Sequence, residues 1–372
     1  MTTRLAGALA AIALLALTSA LLSTRPTRLA PVSAASITSD WTGGSPTEHG
    51  LDPAALHSLA DAIRDGREFP DIHSLLVVRH GILVFEEYFH GHRADELHTL
   101  QSVSKSITSA LIGIALDRGD LRGVGEKVLD FFPGREDITN LDDRKRALRI
   151  EDLLTMRSGT DYHERGSRSP HDQLNNLSRG WDRFYLDRPM VRAPGTHFQY
   201  DSGGVILLSS LIEARTGRHA DRYAAEHLFA PLGIERWDWY RNREGHPHTG
   251  GGLDLSSRDM ARFGQLYLQK GSWEGRQVVS HEWVATSTRR HVVFDPPRGD
   301  EVGYGYLWWI LRPDPSGDRR QDIYAAMGFR AQYIFVVPEH DMVVVVTGGT
   351  QSWSDQQKPV QFLYSHVLPA VR

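Results

Sequence analysis

A serine and a lysine are spaced three residues apart in the segment Ser102-Val103-Ser104-Lys105. Side chains three apart on a helix share one face, so the lysine amine can reach the serine hydroxyl. A serine at a helix N-terminus also lies beside free backbone N–H groups, which stabilise an oxyanion. Burial lowers the pKa of a lysine and lets it act as a base. The pair predicts a nucleophile, Ser102, activated by Lys105, although an N-cap serine and a surface lysine would give the same spacing.

A tyrosine opens a second motif, Tyr200-Asp201-Ser202, which runs into Gly203-Gly204 and a predicted helix. A tyrosine beside a lysine exists partly as phenolate and can then take the proton of a serine. Taken alone, the motif fits equally well a core aromatic residue followed by an N-capping serine.

The third segment, residues 326–332, is predicted to lie on a strand near the C-terminal end of the chain. A strand edge beside a nucleophile can present a backbone N–H group as a second donor to an oxyanion. By itself this segment is ordinary.

Histidine pairs at residues 90–92 and 246–248 indicate a metal site only weakly, because the 18 histidines are scattered. A His-Glu-x-x-His motif does not occur, and neither does a Gly-x-Ser-x-Gly motif. We therefore expect neither a metal nor any other cofactor.

The elements that must position these residues follow from hydrophobic patterning and from glycine and proline. Helices are predicted in the middle of the chain and strands at both ends. The predicted strands are residues 74–79, 82–89, 304–311, 324–329, 332–337 and 342–347. The simplest assembly is an α/β fold of the α+β type, with one antiparallel sheet made from both chain ends and flanked by helices. We expect a sheet subdomain at about 50–120 and 250–372, with a helical insertion domain at about 121–250.

The N-terminus has a positive start and an apolar run over residues 5–22, followed by Ser33-Ala34-Ala35 as a cleavage candidate. This layout predicts that residues 1–35 are a signal peptide or an uncleaved membrane anchor. The body, residues 36–372, is then exported by a bacterium to the periplasm or the medium. A net charge of -4 without a basic stripe argues against nucleic acid as a partner, and the membrane is expected only through the anchor.

Together and in this order, the three motifs resemble those of the β-lactamase-related serine hydrolases. This family includes class C β-lactamases, D-amino-acid carboxypeptidases, esterases and aminohexanoate-dimer hydrolases. Further segments look typical of it and extend the resemblance over roughly residues 50 to 350, namely 153–159, 228–234, 259–264 and 304–309.

The resemblance implies that Ser102 forms an acyl-enzyme and that Lys105 and Tyr200 share the proton transfers. It places Ser202 where it can hydrogen-bond Lys105 or substrate. It implies an oxyanion hole made by the N–H groups of Ser102 and Phe329, the latter directly after Gly328.

The sequence departs from the family at Ala326-Met327-Gly328, where penicillin-recognising enzymes have Lys-Thr-Gly or His-x-Gly. Ala326 cannot hold a substrate carboxylate, and Arg330 supplies a substitute charge only if its side chain points inward. We therefore expect a small ester, amide or peptide substrate rather than efficient β-lactam hydrolysis. Two alternatives stay open: a D-amino-acid peptidase or β-lactamase acting on cell-wall peptides or β-lactams, and a catalytically silent periplasmic binding protein.

Overall fold

The computed structural model describes residues 41–135, 137–294, 302–318 and 320–372. The predicted signal or anchor segment, residues 1–35, lies outside the described residues, and export stays a prediction. No helix within the described ranges combines the length and the apolar character that crossing a bilayer would require.

One eight-stranded sheet, antiparallel throughout, is the centre of the fold. Its strands are β1 (Ile72–Arg79), β2 (Ile82–Tyr88), β8 (Val292–Val293), β9 (Gly303–Tyr304), β10 (Trp309–Leu311), β11 (Ile323–Gly328), β12 (Gln332–Val337) and β13 (Met342–Gly348). They lie in the order β2-β1-β13-β12-β11-β10-β9-β8. The pairing of β1 with β13 joins the two chain ends, with Leu76 opposite Val345. The predicted antiparallel sheet from both ends is therefore confirmed.

Two smaller sheets lie outside the main one. They consist of β3 (His98–Thr99), β5 (Leu253–Leu255) and β4 (Asp238–Trp239), and of β6 (Ser272–Trp273) with β7 (Arg276–Gln277). The first matters for the site, because β3 leads directly into the segment that carries Ser102.

The helices are α1 (Pro53–Asp65), α2 (Ser104–Asp117), α3 (Asp143–Ala147), α4 (Ile150–Leu154), α5 (Pro170–Asn175), α6 (Trp181–Leu186), α7 (Ser202–Thr216), α8 (Ala220–Ala224), α9 (Ser257–Leu268), α10 (His281–Ser287) and α11 (Lys358–Phe362). Single 3-10 or π turns occupy Gln101–Val103, Val128–Phe131, Ala225–Phe229, Pro338–His340, Asp355–Gln357, Leu363–Val367 and Leu368–Ala370. Helices α3 to α8 all fall within the segment for which a helical insertion is predicted.

The central strands are buried along their whole length because both faces of the sheet are covered. Strands β12 and β13 are apolar over residues 333–337 and 342–346, as expected for strands covered on both faces. Helix α9 packs so closely on them that a Cβ on Gly264 would lie 2.6 Å from Cγ1 of Val343 and 2.8 Å from Cγ2 of Ile334. Glycine at this position permits the contact.

The strand predicted over residues 304–311 is wrong as a single element. The chain forms β9, leaves the sheet, and re-enters it as β10, with Leu307 at a φ of +62°. Between the two strands the N–H of Leu307 donates to the carbonyl of Leu154 at 3.0 Å, and the Leu307 carbonyl accepts from Ser106 Oγ at 2.7 Å. These bonds tie the break in the strand to α2 and α4.

Candidate active site

Ser102 lies in the 3-10 turn directly before α2, at the N-terminal end of a helix that is buried from Ser104 to Ala115. The preceding residue, Gln101, has a φ of +49°, which is strained for a residue with a Cβ atom. The Ser104 hydroxyl donates to the Gln101 carbonyl at 2.7 Å and helps to hold this turn. The local fold therefore fixes the position of the Ser102 hydroxyl.

Lys105 is buried beside the serine, with only 1% of its surface exposed. Its Nζ atom donates to Ser102 Oγ at 2.8 Å and to the carbonyl of Gly250 at 2.5 Å. Burial lowers the pKa of Lys105 to about 8, against the opposing effect of the charges of Glu164 and Asp201. At pH 7 about a tenth of such lysines are neutral and able to accept a proton.

The ring of Tyr200 stacks on that of Trp309, with 6.0 Å between centroids and 20° between planes. Lys105 Nζ lies 4.9 Å from the Tyr200 centroid. Burial raises the pKa of the Tyr200 phenol, the charge of Glu164 adds to this, and hydrogen bonding with Ser102 lowers it. The net shift is upward, so this environment favours a neutral phenol and disfavours the phenolate that the sequence argument invoked.

Asp201 anchors Tyr200 by capping α7. Its carboxylate accepts from the N–H of Gly204 at 2.8 Å, from Ser158 Oγ at 2.9 Å and from the hydroxyl of Tyr185. Burial raises the pKa of Asp201 to about 6, partly offset by these hydrogen bonds. The cap fixes the start of α7 and with it the residue before the cap, Tyr200.

Ser202 and Glu164 complete the buried polar groups around Lys105. The backbone N–H of Ser202 donates to Glu164 Oε1 at 2.8 Å, and Glu164 is 8% exposed. In the part of the chain that the structure describes, the Ser202 hydroxyl makes no hydrogen bond to Lys105, whose partners are Ser102 and Gly250.

The end of β11 abuts the turn that carries Ser102. A Cβ on Gly328 would lie 2.4 Å from the carbonyl oxygen of Leu100, so only glycine allows this approach. Phe329 follows and is half-buried. Arg330 is also half-buried, with a φ of +64°, and its side chain makes no hydrogen bond or ion pair with any described residue.

Ala326 is fully buried and lies on the same face of β11 as Gly328, since side chains two apart on a strand point the same way. The face of β11 that approaches the nucleophile therefore carries the methyl group of Ala326, at the position where penicillin-recognising enzymes carry Lys or His.

A cavity of about 250 Å³ is lined by residues 159–163 together with Val191, Arg192, His197 and Gln199. Gln199 directly precedes Tyr200, and its N–H donates to the carbonyl of Met156 at 2.8 Å. This cavity borders the segment that carries the tyrosine of the site.

A family model described as Beta-lactamase matches residues 59–359, most of the described structure. The chain belongs to the beta-lactamase family. This confirms the resemblance drawn from the motifs, and the known members it is similar to are hydrolases.

The chain is similar to the 6-aminohexanoate-dimer hydrolase of Paenarthrobacter ureafaciens. The two are 26% identical over 321 residues, which cover 80% of this chain and 79% of the relative. The D-aminopeptidase of Brucella ovis is 30% identical over 136 residues, which cover 36% of this chain and 24% of that protein. A solved hydrolase with promiscuous acyltransferase activity superposes with a TM-score of 0.69 at 16% identity, covering 86% of this chain and 100% of that one. The last comparison concerns the fold alone.

Sequence reasoning missed Glu164, Gly250 and the role of Trp309 in holding Tyr200. Glu164 lies in a loop between Gly159 and Gly166 with no motif around it, so no local signal marks it. Gly250 contributes a backbone carbonyl, which side-chain patterns do not reveal. Trp309 was one of several tryptophans with no feature to separate it from a core residue.

Proposed function

We propose that the protein is a serine hydrolase that cleaves an ester or amide bond through an acyl-enzyme on Ser102. The observation that carries this proposal is the buried Lys105 amine, 2.8 Å from Ser102 Oγ, with a pKa lowered to about 8. A surface lysine would be solvated and would keep its ordinary pKa. The buried Lys145 differs from Lys105 in its partners, because its Nζ atom donates to three backbone carbonyls and not to a hydroxyl. A lysine held this way acts as a general base.

In the acylation step the neutral amine of Lys105 takes the proton of Ser102 as Oγ bonds to the substrate carbonyl carbon. The carbonyl π electrons move to the oxygen and form a tetrahedral oxyanion. The bond to the leaving alcohol or amine then breaks, and the leaving group takes a proton. The neutral phenol of Tyr200 is the proposed donor, and it regains its proton from Lys105.

The oxyanion is proposed to accept hydrogen bonds from the N–H groups of Ser102 and Phe329. Support comes from the contact of Gly328 with Leu100, which brings the end of β11 against the turn of Ser102. In deacylation a water molecule gives a proton to Lys105 and attacks the acyl carbon, and Ser102 Oγ leaves and takes that proton back from Lys105. The products are a carboxylic acid and the free enzyme.

The substrate is proposed to be a small ester or amide. Ala326 offers no charge to a carboxylate, and a charge-assisted hydrogen bond is worth about 1.5–3 kcal/mol, or roughly ten- to a hundredfold in binding. An amide fits the similarity to the 6-aminohexanoate-dimer hydrolase, whose named substrate joins two amino acids. The solved hydrolase with promiscuous acyltransferase activity shares the fold and does not decide between an ester and an amide.

The test is intact-mass measurement after exposure to a fluorophosphonate, together with turnover of a chromogenic short-chain ester. The wild type is expected to gain one adduct and to hydrolyse the ester. Ser102→Ala should lose both, while the exposed-serine control Ser365→Ala should keep both. No adduct and no turnover in folded wild-type protein would favour the silent binding protein.

The second candidate is a peptidase of D-amino acids, favoured by the partial similarity to the D-aminopeptidase. The two candidate functions are distinguished by measuring kcat/KM for a short-chain ester, the 6-aminohexanoate dimer, a D-alanyl peptide and a chromogenic cephalosporin. A kcat/KM at least tenfold higher for the D-alanyl peptide or the cephalosporin than for the ester would contradict the proposed substrate class. The proposal that Ser102 is the nucleophile would still stand.

A further inference from the structure

Three side chains that do not contact Ser102 lie close together near the C-terminal end of α7. Glu213 lies near the end of α7, His219 directly precedes α8, and His246 lies in the loop between β4 and β5. All three side chains are partly buried, and one ligand atom from each lies within 4.8 Å of the others. The sequence pattern around His246 and His248 was too weak to indicate this grouping.

The two imidazoles approach the same carboxylate oxygen. The Nδ1 atoms of His219 and His246 lie 3.0 Å and 2.9 Å from Glu213 Oε2. The His246 Nδ1 atom is shielded from solvent and, in spite of this distance, makes no hydrogen bond with any described residue. Its N–H direction therefore does not point at the oxygen.

The Nδ1 atom of His219 makes a hydrogen bond with Glu213 Oε2, whereas that of His246 approaches the same oxygen without one. An ion between the three side chains would give His246 Nδ1 the partner that it lacks. In a tetrahedral site with metal–ligand distances of about 2.0–2.1 Å, neighbouring ligand atoms are about 3.3 Å apart. The two separations from Glu213 Oε2 need to grow by only a few tenths of an ångström. Two imidazole nitrogens and one carboxylate oxygen are a donor set suited to zinc and to neighbouring divalent transition ions.

We infer that Glu213, His219 and His246 form a binding site for a divalent transition-metal ion, with zinc as the probe. The ion has a structural role, because none of the three residues is among those that contact Ser102. This inference is independent of the proposed hydrolase activity.

The proposed site connects two segments near the catalytic residues. They are the loop that contains Gly250, a partner of Lys105, and helix α7, which follows Tyr200. His246 is held in its loop by its N–H bond to Asn242 Oδ1 at 3.0 Å, and the same loop continues to Gly250, the carbonyl partner of Lys105. Helix α7, which carries Glu213, begins two residues after Tyr200. A bound ion therefore cross-links the loop of Gly250 to the helix that follows Tyr200.

The test uses tag-free protein treated with a chelator, desalted and titrated with Zn²⁺ by calorimetry, with Co²⁺ absorption as a second probe. We expect one equivalent with a Kd at or below about 10 μM. Thermal unfolding should shift upward by several degrees in the presence of zinc. His246→Ala and Glu213→Gln should each weaken binding by at least about tenfold and remove the shift, because each deletes one of three ligands.

The matched control is His92→Ala, which removes a ring from a second group of histidines in which His92 stacks on His73 at 3.7 Å. This variant should bind zinc as the wild type does. Far-UV circular dichroism and thermal unfolding without zinc show that the variants fold, so that a loss of binding is attributable to the lost ligand. No binding by the wild type, binding unchanged in both ligand variants, or loss confined to His92→Ala would each overturn the assignment.

Discussion

Lys105 donates a hydrogen bond of 2.5 Å to the backbone carbonyl of Gly250, a residue 145 positions further along the chain. The resemblance placed Ser202 where it can hydrogen-bond Lys105 or substrate, and among the described residues the lysine has Ser102 and the Gly250 carbonyl as its partners. A Cβ on Gly250 would lie 3.0 Å from the Ser202 carbonyl oxygen and 3.1 Å from its Cβ, so glycine allows the close packing. The carbonyl is a neutral acceptor for the amine, and it is burial that lowers the pKa of Lys105 to about 8.

The pH dependence of ester hydrolysis should follow Lys105. The base must be deprotonated, and its pKa is lowered to about 8, so kcat/KM should rise as the pH increases through about 8. At pH 6 the rate should be about a hundredth of the high-pH plateau. Steady-state kinetics from pH 6 to 9.5 measure this, and a flat profile over that range would remove Lys105 from the role of base.

Replacing the lysine separates catalysis from stability. An unfolded lysine has a pKa of 10.5 and the folded one about 8, so between these values the unfolded chain binds more protons. The contribution of this group to stability therefore rises with pH across that window and is unfavourable at pH 7. Lys105→Met should lose about a thousandfold or more in kcat, with a Tm at pH 7 no lower than that of the wild type. A fall in Tm by several degrees would indicate a structural lysine.

Tyr200→Phe removes the phenol and keeps the ring that stacks on Trp309. We expect kcat to fall by about a hundredfold with little change in KM or Tm, because the packing is retained and only the proton donor is lost. The matched control is Tyr304→Phe, since Tyr304 contacts the same tryptophan edge-on at 5.0 Å. Equal losses in the two variants would contradict a specific role for the Tyr200 hydroxyl.

The residues that sequence reasoning predicted are those whose chemistry is encoded locally. Ser102 and Lys105 are three apart on one helical turn, and helix periodicity alone brings their side chains together. Continuous Val- and Ile-rich runs likewise predicted strands β12 and β13 to within one residue. The sheet from both ends followed because the runs predicted as strands lie near the two ends of the chain.

What could not be predicted depends on contacts between distant segments. Glu164 acts on Lys105 through space, and the Gly250 carbonyl reaches it from another loop. The break between β9 and β10 is held by bonds of Leu307 to α2 and α4, which no pattern within residues 304–311 records. The phenolate argument for Tyr200 considered the lysine charge alone, whereas the burial of the ring raises the pKa of the phenol and favours its neutral form.

Glu164→Gln tests whether the charge of the carboxylate raises the pKa of Lys105. Its charge raises the pKa of Lys105, so its removal should move the rising limb of the pH–rate profile below pH 8. The amide keeps an oxygen that can accept from the N–H of Ser202, and the fold should be retained. The exposed Glu235→Gln is the control and should leave the profile in place. An unchanged limb in Glu164→Gln would show that the residue acts only as a structural acceptor.

Gly328→Ala probes the contact between β11 and the turn of the nucleophile. The added methyl would lie 2.4 Å from the Leu100 carbonyl oxygen, and since that atom is backbone, the turn or the strand must shift. The shift displaces Ser102 relative to the N–H group of Phe329, so kcat should fall by at least about a hundredfold, the loss typical of one oxyanion donor. Tm should fall as well, because overpacking strains the backbone. Gly123→Ala is the control: its nearest neighbour would be 4.0 Å away, and activity and Tm should stay close to those of the wild type. Wild-type kcat in Gly328→Ala would show that the end of β11 does not position the oxyanion hole.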